Sequence, residues 1–407
     1  MAEQFRYTDI RSTCTRDDVG FMRHFYGAKG AHHVMESRGL PVSPLRGPHL
    51  SLEEKLSLID EHFFTIVEDE YGVATSETAN FYFRQLQHAN NAIAEFTQTV
   101  FPEDMNNILG LRNEVAFPTH RPSERLTKLA RPRSKVEEFE IRRQLILANI
   151  AAQLEANEQH AGVSDAISML QHVLNVRVFD PSAHTEFLTV DSYHDNITNK
   201  CVNPHQYGTS YHKKTHPIQA RYVDDIGYVL TQPRIKNMST SVLKAVSKSQ
   251  RTENGLIDPF SVQDLGGIMF VALGGSQYRD ALMDKIYEAV SSFQHIGKPQ
   301  DDQVTSNGRS NGTALDWRRI QLPIGQQGGT IELQFYDLEG YLDNVYNLSD
   351  QGNRAHRLYQ VKRSRSLLPI LFPSDVYQDV YSKIDLEEAI AYKEDSIRAE
   401  LLAKRRV

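Results

Sequence analysis

Residues 330–335 read Thr-Ile-Glu-Leu-Gln-Phe. Ile331, Leu333 and Phe335 alternate with Glu332 and Gln334, the two-residue period of a strand with one apolar and one polar face. Glu332 and Gln334 then look out together from a sheet whose other face is core. A carboxylate in that position binds a metal ion or acts as a general base on a hydroxyl. The plainer reading is an ordinary solvated strand face.

Working outward, Ile320 to Pro323 reads as a strand, and Asp264-Leu265-Gly266-Gly267-Ile268-Met269-Phe270-Val271 places a carboxylate and two glycines before an apolar, β-like run. Glycines at the lip of a buried strand let a ligand or another backbone approach. Mg²⁺ in phosphoryl-transfer sites takes one or two carboxylates plus phosphate oxygens; a turn aspartate before a core strand has the same local pattern. Further upstream stand Arg234 and Lys236, two apart and so on one side of a strand, then Thr240, Ser241 and Lys244 on the helix read over 239–249. Cations converging near a helix start suit a triphosphate, and scattered cations also occur as solvated surface. Arg354-Ala355-His356-Arg357-Leu358-Tyr359 offers His356 for phosphate contact or proton movement. Asn307-Gly308 and Asn311-Gly312 are turn signals, and Trp317 follows the second as either core or a stacking platform.

The N-terminal side of this region is helical in pattern. Ser51 and Glu54 form a capping box before Leu52, Leu56, Ile59, Phe63, Ile66 and Val67, with Gly72 at the C′ position. A second helix carries Phe81, Phe83, Leu86, Ile93, Phe96 and Val100, and Pro102 follows it. Ser134 and Glu137 open another through Val136, Phe139, Leu145, Leu147 and Leu154, and Ser164 caps a short helix ending near Leu174. Short strands are read at Val176 to Phe179 and Phe187 to Val190, a helix over 276–293, and a last helix over 385–404 with Leu386, Ile390, Ile397 and Leu401 on one stripe. The fold class expected is α+β. The expected organisation is a helical accessory region over 1–175, a mixed-sheet domain over 176–375 and a C-terminal helix over 376–407.

Residues 118–135, PTHRPSERLTKLARPRSK, hold three prolines and six Lys/Arg against one Glu. They read as an exposed connector, or as a contact for a polyanion such as RNA through 121–135. His194-Asp195 invites a metal-hydrolase reading, but its surroundings are loop-like.

Across 407 residues, 45 Lys and Arg stand against 52 Asp and Glu, a net charge of −7 that argues against a protein coating nucleic acid over its whole surface. Two cysteines, Cys14 and Cys201, are too few for a disulfide framework or a zinc cage. No apolar run approaches the roughly 18 residues of a membrane span. A cytoplasmic protein with no membrane partner is expected.

In order, R-I-K-x3-T-x3-K, D-L-G-G-I-x-F-V, N-G, I-E-L-Q-F and A-H-R-L-Y resemble the motif series of the RelA/SpoT synthetase domain, from near Arg221 to Arg363. The resemblance implies a nucleotidyltransferase-like mixed sheet and transfer of pyrophosphate from ATP to the 3′-hydroxyl of GDP or GTP. By position it implies Arg234, Lys236 and Lys244 on the ATP phosphates and Asp264 on Mg²⁺. Glu332 would bind metal and orient or deprotonate the hydroxyl, with Gln334 and His356 on the acceptor side. The family's Tyr after N-G is Thr313 here, its following His is Trp317, two of its arginines are Met269 and Tyr336, and its last Lys is Gln360. These departures leave an adenine nucleotide or an RNA 3′ end as alternative acceptors, with Trp317 or Tyr336 as a new stacking surface, or a catalytically dead nucleotide binder. No HD-type hydrolase ligand set occurs in residues 1–200.

Overall fold

In the computed structural model the described residues are 5–6, 51–102, 121–130, 133–160, 162–183, 186–195, 211–249, 256–257, 262, 264–291, 300–302, 318–324, 329–341 and 356–404. The helices among them are α1 (Leu52–Tyr71), α2 (Thr78–Val100), α3 (Pro122–Ala130), α4 (Lys135–His160), α5 (Val163–Arg177), α6 (Met238–Ser249), α7 (Ser276–Ser291), α8 (His356–Arg365), α9 (Leu368–Leu371), α10 (Gln378–Tyr381) and α11 (Leu386–Lys404). The strands are β1 (Phe5–Arg6), β2 (Glu186–Asp195), β3 (Tyr211–Val223), β4 (Gly227–Ile235), β5 (Leu256–Ile257), β6 (Asp264–Ala272), β7 (Gln300–Asp302), β8 (Arg318–Ile324) and β9 (Gly329–Asp337). The fold is mixed helix and sheet. No described helix is long and apolar enough to cross a membrane.

The chain divides into two compact units. One comprises residues 1–156, 237–262 and 363–391, and the other 157–236, 263–362 and 392–407. Both are assembled from separated segments, whereas the division expected from the sequence, at 175 and 375, is contiguous.

The first unit is mainly helical, with β1 and β5 paired as a two-stranded antiparallel sheet. Ser51 caps α1 through its side chain, Glu54 answers on the Ser51 amide at 2.7 Å, and Gly72 closes the helix at φ 64°. The core holds Phe63 edge-on to Tyr82 at 5.0 Å, and Phe96 stacked on Phe372 at 5.7 Å. Residues 141–154 of α4 are buried all round, including Arg142, Arg143, Gln144, Asn149 and Gln153. Buried polar groups require partners. Arg143 lies over the rings of Phe139 and Phe372, at 5.4 and 4.8 Å, and donates to the Leu371 carbonyl. Gln144 accepts from Arg125 and donates to Asn90.

The connector expected around 118–135 is in part helix α3, and two of its cations are turned to internal acceptors. Arg121 donates to Asp60 at 2.9 Å and Glu53 at 2.8 Å, and Arg125 is buried against Gln144. Asp60 also accepts from the Ser123 amide and hydroxyl at 2.7 and 2.8 Å.

The second unit is built on a seven-stranded sheet of order β2-β3-β4-β6-β9-β8-β7. Only the β6–β9 pair is parallel, so the sheet is mixed. One face carries Val229, Ile268, Phe270, Ile320, Leu322, Ile331, Leu333 and Phe335, packed on Val163, Ile167 and Leu170 of α5 and Leu282, Met283 and Ile286 of α7. The strand read at Val176 to Phe179 is instead the end of α5. The amides of Val178 and Phe179 both bond the Leu174 carbonyl at 3.0 Å, so helix packing overrides β-branched propensity there. The helix starts after Gly162, and Ser164 lies inside its first turn rather than at its cap. His194 and Asp195 stand in β2, opposite His212 and Tyr211, rather than in a loop.

Candidate functional site

The polar face of the sheet assembles from four consecutive strands. Reading across β4, β6, β9 and β8, one row is Arg234, Gly267, Glu332 and Gln321. The next is Gln232, Met269, Gln334 and Arg319, and the third begins Leu230, Val271 and Tyr336. Three motif segments separated by tens of residues therefore meet at adjacent positions.

The glycine pair serves the two faces separately. A Cβ on Gly266 would meet Val163 Cγ1 at 2.8 Å and Ile167 Cδ1 at 3.0 Å, so α5 packs directly onto the sheet there. A Cβ on Gly267 would lie 2.5 Å from the Glu332 carbonyl oxygen and 3.8 Å from Arg234 Nε. The backbone approach read from the glycines is thus that of β9, and the space above Gly267 is taken by the Arg234 side chain.

Glu332 and Gln334 are 9% and 8% exposed. Gln334 Nε2 donates to Glu332 Oε2 at 3.1 Å, and Arg319 Nη1 stands 3.6 Å from Glu332 Oε1. The strand face expected to be polar is polar, but it is buried rather than solvated.

Arg234 is exposed near the end of β4, and Lys236 lies just beyond it, half-buried. Lys244 falls on α6 in the first unit, while the other two cations belong to the second. Asn237 Oδ1 accepts from the Ser239 amide at 3.0 Å, capping α6. The Thr240 hydroxyl is engaged, donating to Glu95 at 2.8 Å.

Asp264 opens β6 and pairs with Thr330, with a bulge between Asp264 and Gly266. Its side chain lies outside the described residues, as does that of His356, which begins α8. Trp317 and Thr313 lie wholly outside them. Gln360 is exposed on α8.

Tyr336 is not a stacking surface. It packs with Met269 and Val271, and its ring meets Tyr341 edge-on at 6.4 Å. Burial pushes its hydroxyl well above the usual phenol range; nearby Arg234 opposes this and Glu332 adds to it. Met269 and Tyr336 form one apolar cluster with Val271.

Arg319 was not among the residues singled out from the sequence. The signal was available in the pattern: counted from Ile320 inward-facing in a strand, Arg319 must face the polar side. β8 begins at Arg318, two residues before the strand read from Ile320.

Among the described residues no group of three or more His, Cys, Asp or Glu could hold a metal ion. Mg²⁺ held largely by substrate phosphates needs only one or two carboxylates. Glu332 supplies one hard oxygen donor of the kind that ion takes, on the strand that pairs with the one Asp264 opens. Comparison with protein families, with curated proteins and with solved structures returns no match.

Proposed function

We propose that the protein transfers pyrophosphate from ATP to the 3′-hydroxyl of an acceptor nucleotide on a nucleotidyltransferase-like sheet, with GDP or GTP the acceptor implied by the motif resemblance. The observation that carries this reading is the row Arg234, Gly267, Glu332 on three adjacent strands. It brings the cationic, glycine-bearing and carboxylate motifs together, though each is unremarkable in isolation.

In the reaction the acceptor oxygen bonds to the β-phosphorus of ATP. The bond from that phosphorus to the α–β bridging oxygen breaks, and AMP leaves with that oxygen. The hydroxyl proton passes to Glu332 and then to solvent. Arg234 and Lys236 neutralise the triphosphate. Gln334 fixes the Glu332 carboxylate. Glu332 and Asp264 would hold Mg²⁺, which would supply charge to offset the phosphates. Such transfer depends on charge neutralisation and in-line placement more than on covalent catalysis.

The packed Met269–Tyr336 cluster favours a second reading of the acceptor: an adenine nucleotide or an RNA 3′ end in place of a guanine nucleotide. Incubation with Mg²⁺, β-labelled ATP and a panel of nucleotides and RNA, followed by mass spectrometry, tests both. Labelled product on any acceptor supports the transfer and names its target. Tight nucleotide binding without turnover means a catalytically dead binder, and neither binding nor turnover rejects the reading.

A further inference from the structure

The geometry points to Arg319 as the residue that grips a phosphate of the acceptor nucleotide and so selects acceptors that carry one. This rests on the transfer reading above. Three observations lead to it.

The first is position across the sheet. Arg234 stands on β4 and Arg319 on β8, with β6 and β9 between them. At about 4.8 Å per strand the two backbones are about 14 Å apart. Glu332 lies between them, one strand from Arg319. In-line transfer puts the acceptor hydroxyl on the side of the β-phosphorus away from the leaving AMP, with the group that takes its proton beside that hydroxyl. With the triphosphate on the Arg234 side, the cation on β8 faces the acceptor.

The second is direction. Arg318 and Arg319 are adjacent and point to opposite faces. Arg318 turns to α7, where Asp280 lies 3.5 Å away, and belongs to the packed side. Arg319 turns to Glu332 at 3.6 Å, and its side chain keeps 30% of its surface exposed. It is a cation on the site face, and the planar fork of a guanidinium suits phosphate.

The third is what the neighbouring strands do not supply. Met269 and Tyr336, where the motifs this sequence resembles carry arginines, are both packed into an apolar cluster. Arg319 is opposite Gln334, in the same row as Met269. Among the described residues of these three rows on β6, β9 and β8, it is the one cation, so positive charge for an acceptor phosphate comes from β8.

The test compares wild type with Arg319→Gln and Arg319→Lys, using ATP as donor and the acceptor pairs GDP with guanosine and ADP with adenosine. Arg319→Gln is expected to raise KM for the accepted nucleoside diphosphate about tenfold or more. KM for ATP should stay within about twofold, and the preference over the matching nucleoside should collapse. Arg319→Lys should recover part of the loss. Equilibrium binding of the labelled diphosphate gives the same ranking without turnover. If the variant instead lowers kcat or shifts the pH profile with acceptor KM unchanged, Arg319 merely tunes Glu332 and the inference is overturned. A rise in KM for ATP alone also overturns it. If wild type neither transfers to nor binds any of the four acceptors, the transfer reading itself fails, and this inference with it.

Discussion

A side chain on Gly267 would place its first carbon 2.5 Å from the carbonyl oxygen of Glu332. The parallel pairing of β6 and β9 thus depends on the absence of a side chain at the residue beside the carboxylate. Gly267→Ala must part the strands or shift the Glu332 backbone, and overpacking of this kind costs about 1–3 kcal/mol. Gly266→Ala presses on side-chain methyls of Val163 and Ile167, at 2.8 and 3.0 Å, and comes no nearer to backbone than the Arg234 carbonyl oxygen at 3.4 Å. Thermal melts should show the larger loss in Tm for Gly267→Ala. Equal losses would mean that the strand approach is not what the second glycine is for.

Glu332→Gln separates chemistry from fold. Glutamine has nearly the same volume and still accepts from Gln334, while the Arg319 contact it gives up is long and partly solvated, the kind of pair worth little to stability. Removing a general base costs about 10²–10⁴-fold in rate. The expected outcome is loss of transfer at nearly unchanged Tm. A variant retaining most of the activity would take Glu332 out of the reaction.

The helical unit has its own pH signature. Burial raises the Glu95 carboxyl above its ordinary value, and the Thr240 hydrogen bond and the Arg363 charge only partly offset this. A carboxyl whose folded pKa lies above its unfolded one binds more protons in the native state. Its ionisation therefore costs stability as pH rises from the ordinary carboxylate value through the raised one. Glu95→Gln keeps an acceptor for Thr240 and removes that cost. Its Tm should approach that of wild type in acid and exceed it increasingly toward neutral pH. A difference that does not change with pH would assign the effect to packing.

How far the sequence foretold this arrangement depends on where physical signals were local. The α1 cap was legible because Ser51, Glu54 and Gly72 act within one helix. The polar face of β9 was legible from the alternation of Ile331 to Phe335. Strand β3 was not, because Lys213, Lys214, His216 and Pro217 give no apolar period; it exists through pairing with β2 and β4. Helix α3 was hidden by its prolines and cations, since Arg121 and Arg125 find partners on α1 and α4 that lie far off in sequence. The meeting of Arg234, Gly267 and Glu332 followed from motif order only by resemblance. The sheet order that produces it is a long-range property, and no local pattern encodes it.

That long-range packing also makes the site resist a new cation. Tyr336→Arg would place there the side chain carried by the motifs this sequence resembles, on the strand that bears Glu332. The position is now 5% exposed, packed with Met269 and Val271, and within the field of Arg234. A guanidinium there loses water and meets a like charge, and Glu332, on the same face, is already shared with Arg319 and Gln334. The substitution should therefore lower Tm by several degrees, a cost of about 1–3 kcal/mol, rather than improve use of a guanine acceptor. Pairing it with Met269→Ala, which opens space in the same cluster, should recover part of the loss if packing is the obstacle. Gain of guanine-nucleotide transfer by Tyr336→Arg alone, at unchanged Tm, would show that the cluster is incidental and that the acceptor side awaits only its missing cation.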